Sequence, residues 1–301
     1  MNQITVGITA YQEGSLLEEA IKSLLNQSFK NWEAVLVLDG GANKITKKIF
    51  DKIDHKNFTK YSFINNQGPY ITRNKAIQMT KTKWYFHLDG DDRLPIDSLK
   101  LIDEKMKIDK SSEYIYGDSL YFNKNKSFIR KPYNNPEMLC QKPLFIGQSP
   151  ITTDLYWKLG GYTRELINNN DWDFWIKVYE KKIIGSQINK IIYERRVRKN
   201  SVGSFYSNDR IENVKKIIKM HPDFFNKNNR KNKALFKVHE LKARSYKTNG
   251  NRLKAFEHVQ KALEYGKTNS SIEAIITENK MGYLRYKLRR IKYFLRGLYA
   301  S

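Results

Sequence analysis

Residues 84–92 read WYFHLDGDD, a short apolar run that ends in three aspartates at positions 89, 91 and 92. The aromatic residues are typical of a buried strand, and the glycine among the aspartates indicates a turn directly after it. Two earlier stretches have the same order of apolar run and polar turn, residues 4–13 (ITVGITAYQE) and residues 34–41 (AVLVLDGG). These three stretches decide the predicted fold.

Helical patterns separate these runs. Apolar spacing predicts helices over residues 16–27, 43–53 and 69–79, and a further strand over residues 61–64. The resulting βαβαβαβ order predicts an α/β fold with a mostly parallel, Rossmann-like sheet and helices on both faces. Ligands of such sheets bind at the carboxyl ends of the strands. We therefore expect a site where the chain leaves Thr9, Leu38 and Leu88.

The charge of the chain is unevenly distributed. The 301 residues carry a formal charge of +24, and residues 181–301 hold 30 of the 55 basic side chains but nine of the 31 acidic ones. This asymmetry predicts a catalytic domain over residues 1–205, a helix and linker over 206–232, and a basic, all-helical region over 233–301. No nucleic-acid partner is expected, because the first 180 residues are nearly neutral and hold the aspartate cluster.

Composition places the chain among globular proteins. Forty percent of the residues are hydrophobic, and the single cysteine, Cys140, excludes a disulfide framework and a cysteine-ligated zinc site. No apolar run is long enough to span a bilayer, and the N-terminus does not resemble a signal peptide. We expect a soluble, cytoplasmic protein.

The cluster of Asp89, Asp91 and Asp92 is the sharpest chemical feature. Carboxylates this close repel one another unless a cation neutralises them, and hard oxygen ligands favour Mg²⁺ or Mn²⁺. The alternative is an aspartate-rich turn before a helix that Asp97 caps. Taken by itself, the cluster leaves both interpretations open.

The other strand ends favour a ligand. A nucleotide diphosphate needs a carboxylate or amide for its base, a metal for its phosphates and a nearby cation. Residues that follow the strands, or open the third helix, could supply all three. No glycine-rich phosphate loop of the GxGxxG or Walker type is present. The converging residues are Thr9, Ala10, Tyr11, Gln12, Glu13, Asp39, Arg73 and Asn74.

The chain resembles a family 2 glycosyltransferase of the GT-A fold over roughly residues 3–205. The resemblance rests on the order and spacing of ITVGITAYQEGSLLEEAIKSLLNQSFKNWEAVLVLDGG, GPYITRNKAI, WYFHLDGDDRLP and LGGYTRELINNNDWDFWIKV. It implies transfer of one sugar from a nucleotide sugar, with inversion, to a glycan or a lipid-linked acceptor, and a role in surface polysaccharide or glycan synthesis.

The resemblance also implies roles for individual residues. Asp39 would contact the base, which favours uracil, and Asp171 would be the catalytic base. The DxD element Asp89, Asp91 and Asp92 would hold Mn²⁺ or Mg²⁺. The donor-binding set would be Thr9, Ala10, Tyr11, Glu13, Asp39, Arg73, Asp89 and Gly90.

The sequence departs from the family pattern at three points. Leu38 replaces the first of two acids after the second strand, and Asn170 replaces the usual glutamate before the base. The QxxRW element of processive synthases is absent, which favours single-sugar transfer.

The neighbours of Asp171, and the histidines, are predicted to have structural roles. We expect Asp173 to face solvent or cap the helix, and Trp172 and Trp175 to belong to the core and not to stack on a sugar. His87 lies in a predicted buried strand and is interpreted as a hydrogen-bonded core histidine. The remaining histidines have no metal-ligand spacing.

The C-terminal region carries two patterns. Residues 236–267 fit one tetratricopeptide unit or an ordinary helical hairpin, and the sequence leaves both open. Residues 281–301 form a basic helix with an apolar stripe, which predicts contact with an anionic membrane surface; packing onto the hairpin is the alternative. Membrane contact would make the protein peripheral on the cytoplasmic face and would suit a lipid-linked acceptor.

Two other classes of function compete with transfer. One is a catalytically inactive GT-A-like scaffold, and the other is a basic binding protein that acts through its helical tail. The joint presence of Asp39, Asp89, Asp91 and Asp171 argues against the inactive scaffold. The near-neutral charge of residues 1–180 argues against a generally basic, nucleic-acid-binding protein. A sugar-nucleotide pyrophosphorylase is excluded because its glycine-rich start is missing.

Overall fold

A computed structural model describes residues 4–132, 135–142, 148–166, 168–198 and 210–278. The chain forms two compact units, Met1–Ser201 and Val202–Ser301. The boundary lies four residues before the predicted end of the catalytic domain at 205.

The first unit alternates strands and helices. Its strands are β1 (Ile4–Ala10), β2 (Trp32–Leu38), β3 (Phe58–Ser62), β4 (Trp84–Asp89), β5 (Tyr114–Phe122), β6 (Ser127–Arg130), β7 (Ile151–Thr152) and β8 (Gly185–Arg196). Its helices are α1 (Leu16–Leu25), α2 (Lys44–Lys52), α3 (Pro69–Gln78), α4 (Ser98–Ile108), α5 (Pro136–Leu139), α6 (Thr153–Lys158) and α7 (Asn170–Glu180).

Strands β3, β2, β1 and β4 lie side by side and are parallel, as the βαβ order predicts. The third strand begins at Phe58, before the predicted 61–64, because it pairs with β2 from Phe58 opposite Ala34 to Ser62 opposite Leu38. Ile64 is 93% exposed and lies beyond the strand. Pairing with β2 therefore determines where β3 begins and ends, and the local apolar run does not.

The sheet continues with antiparallel and mixed pairing. Strand β7 joins β4 to β5, β6 is antiparallel to β5, and β8 is parallel to β5. A single bridge between Arg93 and Glu194 returns β8 to the turn after β4. The end of β8 is thereby held beside the aspartates at positions 91 and 92.

The core of the first unit fixes the strand ends. Strand β1 is buried along its whole length, and α1 covers it with Leu17, Ala20, Ile21 and Leu24. Burial of this many aliphatic side chains is the main stabilising contribution to such a unit. The polar ends of β1, β2 and β4 therefore extend directly from strands that are packed in the core.

The described part of the second unit is helical, as predicted. Its helices are α8 (Arg210–Met220), α9 (Pro222–Phe225), α10 (Arg230–Thr248) and α11 (Arg252–Leu263), and residues 270–278 are helical as well. Helices α10 and α11 form a hairpin whose core includes Ala243, Ala255, Val259, Ile272 and Ile275. Both the tetratricopeptide and the ordinary-hairpin interpretation are compatible with this packing.

The predicted linker differs from the structure. Phe224 and Phe225 are buried, and Arg230 is buried with its guanidinium over the Phe224 ring at 4.6 Å. The polar, turn-rich composition of residues 222–233 predicted a linker and gave no sign that Phe224 and Phe225 are buried. This stretch is a packed corner between helices.

No described helix is long and apolar enough to cross a membrane. The basic amphipathic segment 281–301 lies outside the described residues, so its predicted membrane contact stays a prediction.

Candidate active site

The carboxyl ends of β1 and β4 meet in register, with Thr9 opposite Asp89. Gly90 N donates to the Thr9 carbonyl at 3.0 Å, and a Cβ on Gly90 would lie 2.8 Å from that oxygen. The turn after β4 can therefore approach β1 only because residue 90 is a glycine. Asp39 N likewise donates to the Ala10 carbonyl at 2.8 Å. The structure brings the three predicted strand ends together.

Asp89 is the centre of a buried network. Its Oδ1 accepts from Arg73 at 2.6 Å and lies 2.8 Å from His87 Nε2, while its Oδ2 accepts from Gln148 Nε2 at 2.5 Å. Helix α3 supplies Arg73, strand β4 supplies His87, and the segment before β7 supplies Gln148. Three separate elements therefore hold one carboxylate.

The charges in this network set its protonation. Burial acts to raise the pKa of Asp89, but the Arg73 guanidinium and His87 outweigh it and hold that pKa well below its ordinary value. Burial and Arg73 lower the pKa of His87. At neutral pH the network consists of a carboxylate, a guanidinium and a neutral imidazole.

His87 is buried, as predicted, but it also belongs to the site. Its Nε2 accepts from Arg73 Nε at 2.9 Å, so the proton of the neutral ring lies on Nδ1, 3.0 Å from the Tyr85 hydroxyl. His87 thus fixes the plane of the Arg73 guanidinium. The prediction that His87 is only a core residue was incomplete. The sequence pattern of a strand does not show which side chains from other segments lie at its end.

Asp91 and Asp92 have different surroundings. Asp92 is buried, and its oxygens accept from the Tyr193 hydroxyl at 2.9 Å and from Arg196 N at 2.7 Å. Burial, with Asp89 and Asp91 nearby, raises the pKa of Asp92 to about 8. Asp91 forms an ion pair with Arg198 at 2.6 Å. Asp92 therefore joins the turn to β8, whereas Asp91 pairs with a partly exposed side chain.

Asp39 holds the loop that precedes α3. Its carboxylate accepts from the backbone N–H groups of Gly40 at 2.9 Å, Gln67 at 2.8 Å and Gly68 at 2.9 Å, and the residue is buried. This structural role was not visible in the sequence because Gln67 and Gly68 lie almost 30 residues away. Contact between Asp39 and a nucleotide base stays a prediction.

The turn after β1 lies beside the aspartates. The Thr9 hydroxyl is 3.5 Å from His87 Nε2, and Tyr11, with 38% of its surface exposed, donates its N–H to the Glu13 carboxylate. Burial raises the pKa of Glu13, and the nearby Asp91 carboxylate adds to that rise. The predicted donor-binding residues of this segment therefore border the edge where Asp91 lies.

Asp171 enters the site from the first turn of α7. It is partly buried, and among the described residues it has no hydrogen bond and no ion pair. Its negative charge helps to raise the pKa of Tyr70 and Tyr162, chiefly raised by burial. Tyr70 also faces Arg73, whose guanidinium carbon lies 5.5 Å from the ring centroid. Tyr70 and Tyr162 therefore lie near both the Asp171 carboxylate and the Arg73 guanidinium.

Asn170 and Asn74 hold the loops around Asp171. Asn170 is fully buried, accepts from Thr163 N at 2.7 Å and donates to the Leu166 carbonyl at 2.9 Å. Asn74 donates to the Tyr162 carbonyl at 2.7 Å. Asn74 was expected to converge with the aspartates, but it holds the Gly-Gly-Tyr turn instead.

The expectation for Asp173 was wrong. Asp173 is fully buried and forms an ion pair with Lys177 at 2.8 Å, one turn along α7. Helix α7 is buried on several sides, so a polar residue two positions after Asp171 does not reach solvent. Trp172 and Trp175 are buried, as predicted.

Three site residues escaped the sequence reasoning: Tyr70, Gln148 and Tyr193. Tyr193 is fully buried and joins the Asp89 backbone N–H to the Asp92 carboxylate. Gln148 and Tyr193 lie in segments without a recognisable motif. Tyr70 lies in the quoted stretch GPYITRNKAI, but the stretch does not reveal that its ring faces Arg73. Among the described residues, no three His, Cys, Asp or Glu side chains are arranged to hold a metal ion.

Comparison with known proteins bears on this site. The sequence model for glycosyl transferase family 2 matches residues 5–170. The chain is 27% identical over 225 residues to an uncharacterised glycosyltransferase of Methanocaldococcus jannaschii, covering 68% of this chain and 77% of that protein. It is 26% identical over 200 residues to the chondroitin synthase of Pasteurella multocida, covering 64% of this chain but 20% of the synthase.

Two solved structures share the fold. S. aureus TarS 1–349 in complex with UDP-GlcNAc has a TM-score of 0.62 and 16% identity, over 91% of this chain and 83% of that one. The mannosyltransferase PcManGT from Pyrobaculum calidifontis, in complex with GDP-Man and Mn²⁺, has a TM-score of 0.56 and 15% identity, over 94% and 80%. These likenesses confirm the predicted GT-A fold. Because the family model matches more than half of the chain and the strand-end site lies within that match, the chain belongs to glycosyl transferase family 2.

Proposed function

We propose that this glycosyltransferase moves one sugar from a nucleotide-sugar donor, with a UDP-sugar favoured, to an acceptor hydroxyl with inversion. The observation that carries the proposal is the pair of carboxylates at the site. Asp89 accepts a hydrogen bond on each oxygen, from Arg73 and from Gln148, whereas Asp171 has no hydrogen bond or ion pair among the described residues. One carboxylate is fixed for binding, and the other is available to take a proton.

Donor binding is assigned to the strand-end edge. The residues there are Thr9, Ala10, Tyr11, Glu13, Asp39, Arg73, Asp89 and Gly90. The Arg73 guanidinium is held by Asp89 and His87, so its position is set before any ligand arrives. Preorganised charge of this kind stabilises a leaving diphosphate without reorganisation during the reaction. Related folds bind UDP-GlcNAc and GDP-Man, which supports a nucleotide-sugar donor.

The residues fit a divalent cation that one carboxylate and the donor share. Both oxygens of Asp89 and of Asp92 already accept protein hydrogen bonds, whereas Asp91 is partly exposed and pairs with Arg198. Mg²⁺ and Mn²⁺ are commonly bound by one or two carboxylates, substrate phosphates and water. We therefore assign Mn²⁺ or Mg²⁺ chiefly to Asp91. When bound, the cation would neutralise charge on the diphosphate.

Asp171 is assigned as the general base. An acceptor hydroxyl must lose a proton as its oxygen attacks the anomeric carbon, and a carboxylate without a protein partner can accept that proton. The hydroxyl oxygen forms the new glycosidic bond while the bond to the diphosphate breaks, and the nucleoside diphosphate leaves. Attack from the face opposite the leaving group inverts the anomeric carbon. Asn169 N donates to the Tyr70 hydroxyl at 3.0 Å, which anchors the start of α7 near Arg73.

The acceptor is proposed to be a growing glycan or a lipid-linked saccharide, in surface polysaccharide or glycan synthesis. The similarity to a chondroitin synthase supports a polysaccharide product. A lipid-linked acceptor would place the protein at the cytoplasmic face of a membrane, with residues 281–301 as the contact.

Isothermal calorimetry with UDP and GDP, each with MnCl₂ or with EDTA, tests the donor and the cation together. We expect UDP to bind more tightly than GDP, and EDTA to weaken UDP binding by about tenfold or more. Screening of UDP-sugars for metal-dependent hydrolysis then identifies the sugar. Equal affinity in EDTA contradicts the shared-cation assignment, and absence of nucleotide binding under all conditions contradicts the proposed function.

A further inference from the structure

We propose that one face of strands β5, β6 and β8 binds the acceptor, and that this acceptor is a glycan with carboxylate or phosphate groups. The acceptor face consists of Tyr121, Phe128, Arg130 and Arg195. This inference rests on the proposed transferase function and names the class of its acceptor.

Register places these side chains on one face. Tyr121 on β5 pairs with Phe128 on β6 and with Arg195 on β8. The rings of Tyr121 and Phe128 stack with centroids 5.2 Å apart at 23°, and the Arg195 guanidinium lies 5.7 Å from the Tyr121 ring. Arg130 donates to the Tyr121 hydroxyl at 3.0 Å. The result is a continuous surface of two rings and two guanidinium groups.

The acceptor face is continuous with the aspartates. Tyr193, two residues before Arg195 on β8, donates to Asp92 at 2.9 Å and accepts from Asp89 N at 3.1 Å. Burial acts to lower the pKa of Arg195, but Tyr121 and the Asp89 and Asp92 carboxylates raise it above the ordinary value. Arg195 therefore lies between the donor-binding edge and the two aromatic rings.

The Asp89 and Asp92 carboxylates act on Arg195 without forming an ion pair with it. Among the described residues, Arg195 has no ion pair and no hydrogen bond, and it is partly buried. The exposed side chains of Lys124, Lys126 and Lys131 lie along the same hairpin. Guanidinium groups bind carboxylates and phosphates in bidentate geometry. Charge complementarity therefore favours an anionic ligand.

The aromatic part favours a sugar over a lipid bilayer. Phe128 is 59% exposed but lies flat against Tyr121. The tip of the hairpin is Asn-Lys-Asn-Lys at positions 123–126, closed by hydrogen bonds from the backbone of Asn125 and Lys126 to the Asn123 side chain. A hairpin that inserts into a membrane would carry its apolar residues at the tip. The exposed Phe128 ring, stacked on the partly buried Tyr121 ring, suits the C–H face of a sugar ring.

The test measures binding of three oligosaccharides to the full chain by calorimetry. Hyaluronan hexasaccharide carries carboxylates, a glycerol phosphate hexamer carries phosphodiesters, and chitohexaose is neutral. The variants are Phe128→Ala and Arg130→Gln. The matched control is Ile129→Ala, because Ile129 is similarly exposed (53%) but points to the opposite face of β6.

We expect the chain to bind one or both anionic oligosaccharides and to bind chitohexaose at least about tenfold more weakly. Phe128→Ala and Arg130→Gln should each weaken anionic binding by about 5- to 10-fold, and Ile129→Ala by less than about twofold. Added salt should weaken it further. Binding of hyaluronan alone assigns a carboxylate acceptor, and binding of the phosphate hexamer alone assigns a phosphate acceptor.

Three results overturn the inference: preference for chitohexaose, equal losses in Ile129→Ala and Phe128→Ala, or no binding of any oligosaccharide. Binding to phosphatidylglycerol vesicles that depends equally on Phe128 and Ile129 would assign the hairpin to a membrane and also contradict it. UDP binding with MnCl₂ is measured on every variant. If UDP binds normally while the acceptor results fail, the acceptor face is wrong; if UDP does not bind, the proposed function itself fails.

Discussion

His87 in the first unit and His239 in the second are both buried and both neutral at pH 7, but their partners differ. His87 contacts Arg73 and Asp89, groups of opposite charge. His239 lies with its Nδ1 3.0 Å from Nδ1 of His258, and the nearby charges that act on it are lysines, Lys261 and Lys215. The first network pairs its charges around the proposed donor site, whereas burial and the nearby positive charges oppose protonation of His239 in the second.

The comparison extends to the carboxylates. In the first unit, Asp89 has hydrogen bonds on both oxygens and Asp171 has none among the described residues. In the second unit, the buried Glu240 pairs with Lys237 at 2.7 Å within one turn of α10. Ionisable groups at the proposed site therefore form hydrogen bonds and ion pairs with residues from distant segments. Those of the helical unit have partners in the same helix or in a neighbouring helix.

The largest effect is expected for Asp171→Asn. Loss of a general base typically lowers the rate by about 10²–10⁴-fold, and the UDP affinity should change by less than about twofold. Transfer is measured by release of the nucleoside diphosphate. The matched control is Asp173→Asn on the same helix, which should lower thermal stability through loss of the Lys177 pair and retain much more activity. If Asp171→Asn transferred sugar at the wild-type rate, Asp171 would not be the general base, and the proposed difference in role between Asp89 and Asp171 would be wrong.

Asp89→Ala is expected to affect stability and donor binding together. Removing one partner of a buried ion pair costs about 3–5 kcal/mol, because the other charge stays buried without compensation. Arg73 would be left in that state, and its position at the donor edge would be lost. Unfolding by urea and UDP calorimetry measure the two effects. Asp103→Ala, at a buried aspartate paired with Lys107 on α4, is the control that should leave UDP binding intact.

Asp91→Asn is expected to act through the cation. UDP affinity in MnCl₂ should fall to about the level that the wild type shows in EDTA, a loss of about tenfold, and EDTA should have no further effect on the variant. Thermal stability should change little, because Asp91 is partly exposed and pairs with Arg198 at one oxygen. A variant that still responds to EDTA would move the cation to another carboxylate.

The smallest effect concerns pH and the helical unit. Burial, His258 and the nearby lysines lower the pKa of His239 to about 4, against about 6.5 in an unfolded chain. Between these values the unfolded chain binds more protons, so this contribution to stability is complete above about pH 6.5 and is lost as the pH falls toward 4. The loss should be roughly 1–2 kcal/mol.

Thermal melting between about pH 7 and pH 5 checks this. His239→Gln should give a shallower decline than the wild type. His55→Gln, at an exposed histidine in the first unit, should leave the decline unchanged. If His239→Gln and the wild type decline in parallel, the histidine pair does not carry the pH dependence of the second unit.

Much of the fold could be predicted, because its signals are local. The apolar runs and turns before Asp39 and Asp89 place β1, β2 and β4 correctly, and the parallel order follows from the helices between them. Strand β3 and the corner around Phe224 could not be placed well. Their positions depend on pairing with β2 and on burial against neighbouring helices, and neither leaves a local pattern.

The site was predicted in its motifs but not in its connections. Asp89, Arg73 and the residues after β1 meet at one edge because parallel strands end together. Gln148 and Tyr193 contact that edge from segments that lack any motif, and the motif that contains Tyr70 does not reveal its contact with Arg73. Asp173 was predicted to face solvent or cap the helix but is buried. Its burial depends on the residues that pack around α7, and the sequence pattern of the helix does not show them.

By itself, the sequence determined the parallel direction of the first four strands, the acidic strand end and the basic character of residues 181–301, because each follows from local composition and spacing. The tertiary structure alone decided what each charged group does. It gave Asp89 one donor on each oxygen, bound Asp39 to the loop before α3, and left Asp171 without a hydrogen bond among the described residues. The energy of a buried charge depends on the groups within a few ångströms, and in this fold those groups come from segments that are far apart in the chain.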